Sequence, residues 1–198
     1  MAASGRLSWM TQRLASGMCA RSERLIWIDC EMTGLDVRQH TLVEIACIVT
    51  EADLSVVAEG PDIVISQPED VLANMSSWCR STFARNGLLQ KIRESNISIK
   101  AAESQVLSFL KEHTDPGKCP LAGNSVHMDR VFIERYMPDL VKHLHYRIVD
   151  VSTIKEVARR WYPLEFASSP QKLQKHRALD DIRESIQELH WYRSHIFK

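Results

Sequence analysis

The chain has 198 residues, 44% hydrophobic and 25% charged, which suits one domain with a full core and is too short for two comfortable ones. Its 25 Lys and Arg balance its 25 Asp and Glu, so the formal net charge is zero. That argues against a broad basic face gripping long nucleic acid, where each phosphate contact calls for a cation, and leaves short nucleic acid open. Cys19, Cys30, Cys47, Cys79 and Cys119 are odd in number and scattered, with no Cys-x-x-Cys. Reduced, packed thiols of an intracellular protein are expected rather than a disulfide framework or a zinc knuckle. No apolar run approaches the length of a membrane span.

Residues 1–24 stand apart. Arg6, Arg13, Arg21 and Arg24 are interleaved with Ser and Ala, and Glu23 is the only acid. Leu7, Met10, Leu14 and Met18 recur at steps of three and four, as on one face of a helix. An Arg-rich, acid-poor amphipathic leader has the pattern of an organelle transit peptide, here mitochondrial, with a disordered leader as the alternative. Met10 or Met18 as a second start would give a cytoplasmic form.

The domain is expected from residue 25 to residue 198. Residues 25–30 form a first strand, and Thr33-Gly34-Leu35-Asp36 a turn. Residues 42–50 are apolar on both faces apart from Glu44, the pattern of a central strand. Residues 53–59 and 63–66 flank Gly60-Pro61, which predicts a bent or hairpinned third strand. The period then turns helical over 69–80, 88–94 and 101–113. A short strand over 120–123 precedes a helix over 127–136, closed by Pro138. Another short strand over 147–151 precedes a helix that starts at an N-capping Ser152 and closes at Pro163. Residues 167–175 form a polar loop, and residues 180–192 the last helix, with Ile182, Ile186 and Leu189 as its core stripe. Three antiparallel strands followed by alternating helices and strands predict an α/β domain. Its mixed sheet of about five strands carries helices on both faces.

The first strand ends in acid. Asp29 and Glu31 are two residues apart, so they share one face, with Cα atoms roughly 6–7 Å apart. Two carboxylates at that spacing can converge on paired cations, which lie about 3.5–4 Å apart in two-metal sites. Asp129 lies early in a helix that follows a strand, Asp150 ends a strand, and Asp180-Asp181 open the last helix. Acids at strand ends and helix starts can meet on one edge of an α/β sheet. Oxygen ligands suit Mg²⁺ or Mn²⁺ better than zinc. His176, five residues before Asp181, could take a proton from a bound water. His143 and His145 have the spacing of a metal pair but no adjacent third ligand, and are discounted.

Asp29-x-Glu31, Gly123-Asn124-Ser125 with Asp129, and His176-x4-Asp181 resemble the three motifs of the DEDDh exonucleases. Six longer stretches, at residues 27–35, 58–61, 119–127, 145–147, 150–156 and 176–181, resemble the oligoribonucleases, mitochondrial type, in order and spacing. The resemblance spans residues 25–198 and leaves the leader out. It implies an RNase-H-like exonuclease fold and a homodimer that removes 5′-mononucleotides from the 3′ end of very short RNAs. Asp29, Glu31, Asp129 and Asp181 would hold two divalent cations, Mg²⁺ or Mn²⁺, and His176 would be the general base. The family spacing selects Asp181 over Asp180, which is left as a helix-start acid favoured by the dipole. Leu35 and Trp78 would wedge the terminal bases, while Ser125, Arg147 and Ser152 cap the 5′ phosphate. Tyr146 resembles the tyrosine that reaches the active site from the partner subunit. One departure is Phe83, where many of these enzymes carry a histidine near the substrate. Competing readings are a DEDDh nuclease of longer RNA or DNA and a non-catalytic nucleic-acid-binding relative. The latter is expected only if an acid or His176 were missing, and all five are present.

Overall fold

The computed structural model describes residues 20–171 and 176–197. The proposed leader helix, on residues 7–18, and residues 172–175 of the polar loop before His176 lie outside them. β1 (Leu25–Met32), β2 (Leu42–Thr50) and β3 (Val56–Val64) form an antiparallel meander. β4 (Leu121–Gly123) and β5 (Ile148–Asp150) add on in parallel beyond β1, giving the order β3-β2-β1-β4-β5. The predicted mixed five-stranded sheet is the one observed. All nine residues of β2 are buried, as an apolar pattern on both faces requires.

The helices are α1 (Glu69–Ala73), α2 (Ser77–Arg85), α3 (Leu88–Glu94), α4 (Ile99–His113), α5 (His127–Tyr136), α6 (Pro138–His143), α7 (Val151–Trp161), α8 (Pro163–Phe166) and α9 (Ala178–His195). Alternation along β1 sorts them into two layers. Ile26, Ile28, Cys30 and Met32 pack with Val106 and Leu110 of α4 and Phe132 of α5. Trp27 faces the other way, with Ala158 of α7 and Ile182, Leu189 and Tyr192 of α9. Asp29 and Glu31 continue the Trp27 face by the same period, so they emerge beside the start of α9.

Four local expectations change. β3 runs through Gly60-Pro61 as one strand. Glu59 pairs with Ile48 and Asp62 with Ala46, so Gly60 and Pro61 together oppose Cys47 as a bulge. The strand lies at the sheet edge, where proline is tolerated. A Cβ on Gly60 would sit 2.5 Å from Cys47 Sγ and 2.6 Å from Phe109, so the close approach requires glycine. The helix expected over 69–80 is two helices, because Ser76 starts a new one by accepting the Cys79 N–H at 3.2 Å. Pro138 does not merely close α5 but opens α6 at its first position. α7 is capped by Asp150, which accepts the Ser152 N–H at 2.9 Å, and not by Ser152.

The fold also engages residues before Leu25. Arg24 pairs with Glu51 at 2.7 Å and donates to His113 O at 2.6 Å, and the Arg21 carbonyl accepts from Cys119 Sγ at 3.1 Å. Among the described residues, no helix is long and apolar enough to cross a membrane.

Candidate active site

Glu31, His176 and Asp181 each offer a ligand atom, and these atoms all lie within 4.8 Å of one another. They come from the end of β1, the loop before α9 and the first turn of α9. Asp129, in the first turn of α5, reaches β1 from the other side: the Cys30 N–H, between Asp29 and Glu31, donates to its Oδ1 at 2.9 Å. Helix starts favour carboxylates through the macrodipole and unpaired N–H groups, which is how the fold tolerates acids at this depth. Asp29, two residues before Glu31, is half-buried on the same face.

The electrostatics are those of a centre short of positive charge. Burial, then the charges of Asp181, Glu44 and Asp129, push Glu31 up to about 8, against a pull from Arg177. Burial pushes Asp129 up to about 7, opposed by the Cys30 N–H bond, with Asp150 adding to the rise. Crowded, buried carboxylates ionise readily only beside a cation. Glu31 and Asp181 beside His176 offer ligand chemistry that fits a divalent ion, and Asp129 and the half-buried Asp29 add further carboxylates from the same strand end and the helix bonded to it.

His176 is held at its carbonyl and at its ring, on a left-handed backbone. Its carbonyl accepts from Asn86 Nδ2 at 2.8 Å, its ring meets Trp78 edge-on with centroids 4.9 Å apart, and its φ is +52°. Arg177 forks onto the fully buried Glu44 at 2.6 and 3.0 Å, and Glu44 also accepts the Ala178 N–H at 3.1 Å. Sequence pattern gives Asn86 and Arg177 no role here. The one signal was an acid, Glu44, in an otherwise apolar strand.

Two flanking features lie close to the cluster in the fold. Trp78 is 56% and Leu35 69% exposed, and the Ser76 N–H donates to Thr33 O at 2.9 Å, pinning the start of α2 to the turn that carries Leu35. On the α7 side, the Ser125 N–H donates to Asp150 Oδ1 and to Ser152 Oγ, both at 2.9 Å, and Ser152 Oγ donates to Asn124 Oδ1 at 3.0 Å. Ser125, with φ +52°, and Ser152 line an open groove of about 480 Å³.

An exonuclease family model matches residues 26–189. The chain is 52% identical over 177 residues to the mitochondrial oligoribonuclease of Homo sapiens, covering 89% of this chain and 75% of that protein. It is 58% identical over 175 residues to the probable oligoribonuclease of Caenorhabditis elegans, 88% and 90% of the two chains. With the oligoribonuclease of Marinobacter nauticus it shares 51% over 179 residues, 90% and 99% of the two. The chain belongs to the oligoribonuclease family. Among solved structures, exonuclease I superposes with a TM-score of 0.68 at 15% identity. E. coli exonuclease I in complex with a 5cy-dA13 oligonucleotide superposes with a TM-score of 0.65 at 16% identity. Each match covers 88% of this chain and 41% of the solved one, so this chain spans about two-fifths of those enzymes and the likeness is one of fold. That fold is the RNase-H-like exonuclease fold.

The remaining expectations for this oligoribonuclease-family chain divide. Ser125 and Ser152 are brought together, but Arg147 is exposed, its guanidinium carbon 5.3 Å from the Tyr146 ring centre. Tyr146 is 71% exposed, with its ring against His145 at 4.4 Å. Phe83, the departure from the family pattern, is fully buried among Leu72, Cys79, Leu88 and Ile92. His143 is buried and shares a 2.8 Å hydrogen bond with Thr114, which accounts for it without a metal.

Proposed function

We propose that the chain removes 5′-mononucleotides from the 3′ end of very short RNAs, dinucleotides included, by a two-cation mechanism. Family membership sets the class: the chain is an exoribonuclease, a hydrolase. The observation that carries the finer reading is the convergence of Glu31, Asp181 and His176, with Asp129 docked beside them on Cys30.

Asp29, Glu31, Asp129 and Asp181 would hold the two cations, Mg²⁺ or Mn²⁺. When bound, these supply Lewis acidity that stabilises charge building on the phosphate and the leaving oxygen. His176 accepts the proton of the attacking water. The water oxygen bonds to phosphorus as the bond to the 3′ oxygen of the preceding nucleotide breaks. Trp78 and Leu35 offer exposed apolar faces against which terminal bases can stack without regard to sequence. Ser125 and Ser152, with Arg147 swung in from the Tyr146 ring, cap the 5′ phosphate. Tyr146, exposed on one protomer, completes the site of a partner copy in a homodimer. The leader on residues 1–24 and mitochondrial relatives from human, cattle and mouse support a mitochondrial address.

The test is a time course on 5′-labelled RNA dinucleotide, pentamer and decamer with Mg²⁺, Mn²⁺ or EDTA. The dinucleotide should vanish fastest, and EDTA should stop it. Trimming of the decamer with accumulation of dinucleotide would overturn the phosphate cap, and turnover in EDTA the cation mechanism.

A further inference from the structure

We propose that Glu44 and Arg177 form a buried positioning pair that sets His176 and Asp181 against Glu31, an assignment that rests on the nuclease reading of the site. Glu44 lies inside β2 with no exposed surface. Stability gives a weak reason for an ion pair there, since apolar side chains of similar size often serve a core as well. Its contacts give a stronger one. The carboxylate takes Arg177 Nε and Nη2 and caps α9 through the Ala178 N–H. Arg177 supplies no side-chain cap of its own to α9, so the cap comes from the sheet.

The consequences reach the cluster from both sides of Arg177. The next turn of α9 closes through the Asp181 N–H donating to Arg177 O at 3.0 Å, so the clamp fixes the turn that carries Asp181. The preceding residue is His176, whose left-handed backbone persists only where its surroundings enforce it. Asn86 holds its carbonyl and Glu44 holds the residue after it. Glu44 is also paired directly with Glu31 across the β1–β2 ladder. The anchor of the clamp and the strand carboxylate are therefore tied by backbone hydrogen bonding, and the Arg177 charge offsets that of Glu44 beside the centre. Positioning of this kind matters because a displacement of about 1 Å can cost on the order of a hundredfold in rate.

The test uses Arg177→Lys, which keeps the charge and loses the planar fork, with Glu44→Gln and the double variant. Melting temperature, dinucleotide kinetics and calorimetric Mn²⁺ titration without RNA are measured on each full-length protein. In Arg177→Lys, kcat should fall about tenfold or more with KM nearly unchanged and melting near wild type, and Mn²⁺ should bind more weakly. The double variant should lose little beyond the worse single change, because both remove one contact. Unchanged kcat and Mn²⁺ binding in Arg177→Lys would overturn the assignment. So would a proportional loss of melting temperature, kcat and KM, or additive losses in the double variant. A wild-type protein that binds Mn²⁺ and leaves RNA intact would refute the nuclease reading, while the Mn²⁺ titrations would still decide whether the clamp shapes the cluster.

Discussion

Glu31→Gln isolates the electrostatic strain at the centre. Burial and the neighbouring carboxylates push Glu31 from its ordinary 4.5 up to about 8 in the folded chain. The folded state therefore holds its proton where the unfolded chain has lost it. That contribution is fully present below about pH 4.5 and is lost as pH rises towards 8. At about 1.4 kcal/mol per unit, the ceiling on the loss is about 5 kcal/mol. Asp129, pushed up to about 7, loses stability in the same direction over a lower range. In EDTA, urea unfolding between pH 5 and pH 8 should show wild-type stability falling steeply. Glu31→Gln should fall less, keeping the Asp129 share of the loss and levelling off near pH 7, while His143, pushed down by burial, works in the opposite direction in both proteins. Saturating Mn²⁺ at pH 8 should restore more stability to the wild type than to the variant. Wild-type stability in EDTA that is flat or rises over this range would refute the reasoning, as would a variant with the wild-type slope.

Asp29→Ala should abolish dinucleotide hydrolysis with the circular dichroism spectrum unchanged; retained turnover would remove Asp29 from the cation set. Tyr146→Ala should cripple activity, and mixing it with Asp29→Ala should restore part of it through heterodimers, read by activity after confirmed subunit exchange. Trp78→Ala should weaken dinucleotide binding by about 1–3 kcal/mol, the scale of one base stack, measured by fluorescence titration. With zero net charge and one or two phosphates bound, affinity should fall only roughly three- to sevenfold between 50 and 200 mM salt. A much steeper slope in a binding titration would point to a long-strand groove.

What the sequence made legible had local causes. The shared face of Asp29 and Glu31 follows from strand period, and the placement of Asp129 and Asp181 from helix starts next to strand ends. Glu44 marked itself as an acid in an apolar strand, but its partner Arg177 lies 133 residues on, a pairing only the packed sheet creates. Gly60-Pro61 carried a turn signal that the edge position of β3 converts into a bulge. Ser76 carried a cap signal that apolar spacing across residues 69–80 concealed. Phe83 stands out only by resemblance, and its burial on the same face of α2 as Cys79 reflects ordinary helix spacing. Arg147 and Tyr146 lie on an exposed loop, where local pattern does not fix side-chain direction.

The proposed base stack and the proposed proton acceptor share one helix in this fold. α2 carries Trp78 near its start, and Asn86 follows its end. The Trp78 ring touches His176 edge-on, and Asn86 holds the His176 carbonyl. A base stacked on the exposed face of Trp78 would therefore press on the same helix that fixes the proposed proton acceptor. Glu44 and Arg177 hold the other flank of that acceptor from β2, a central strand with little freedom to shift. The loop histidine is thus gripped between the helix that carries the proposed base stack and a strand remote from it. In the proposed reaction, losing the stack should lower kcat as well as affinity, whereas loosening the Glu44–Arg177 flank should lower kcat and leave affinity nearly intact.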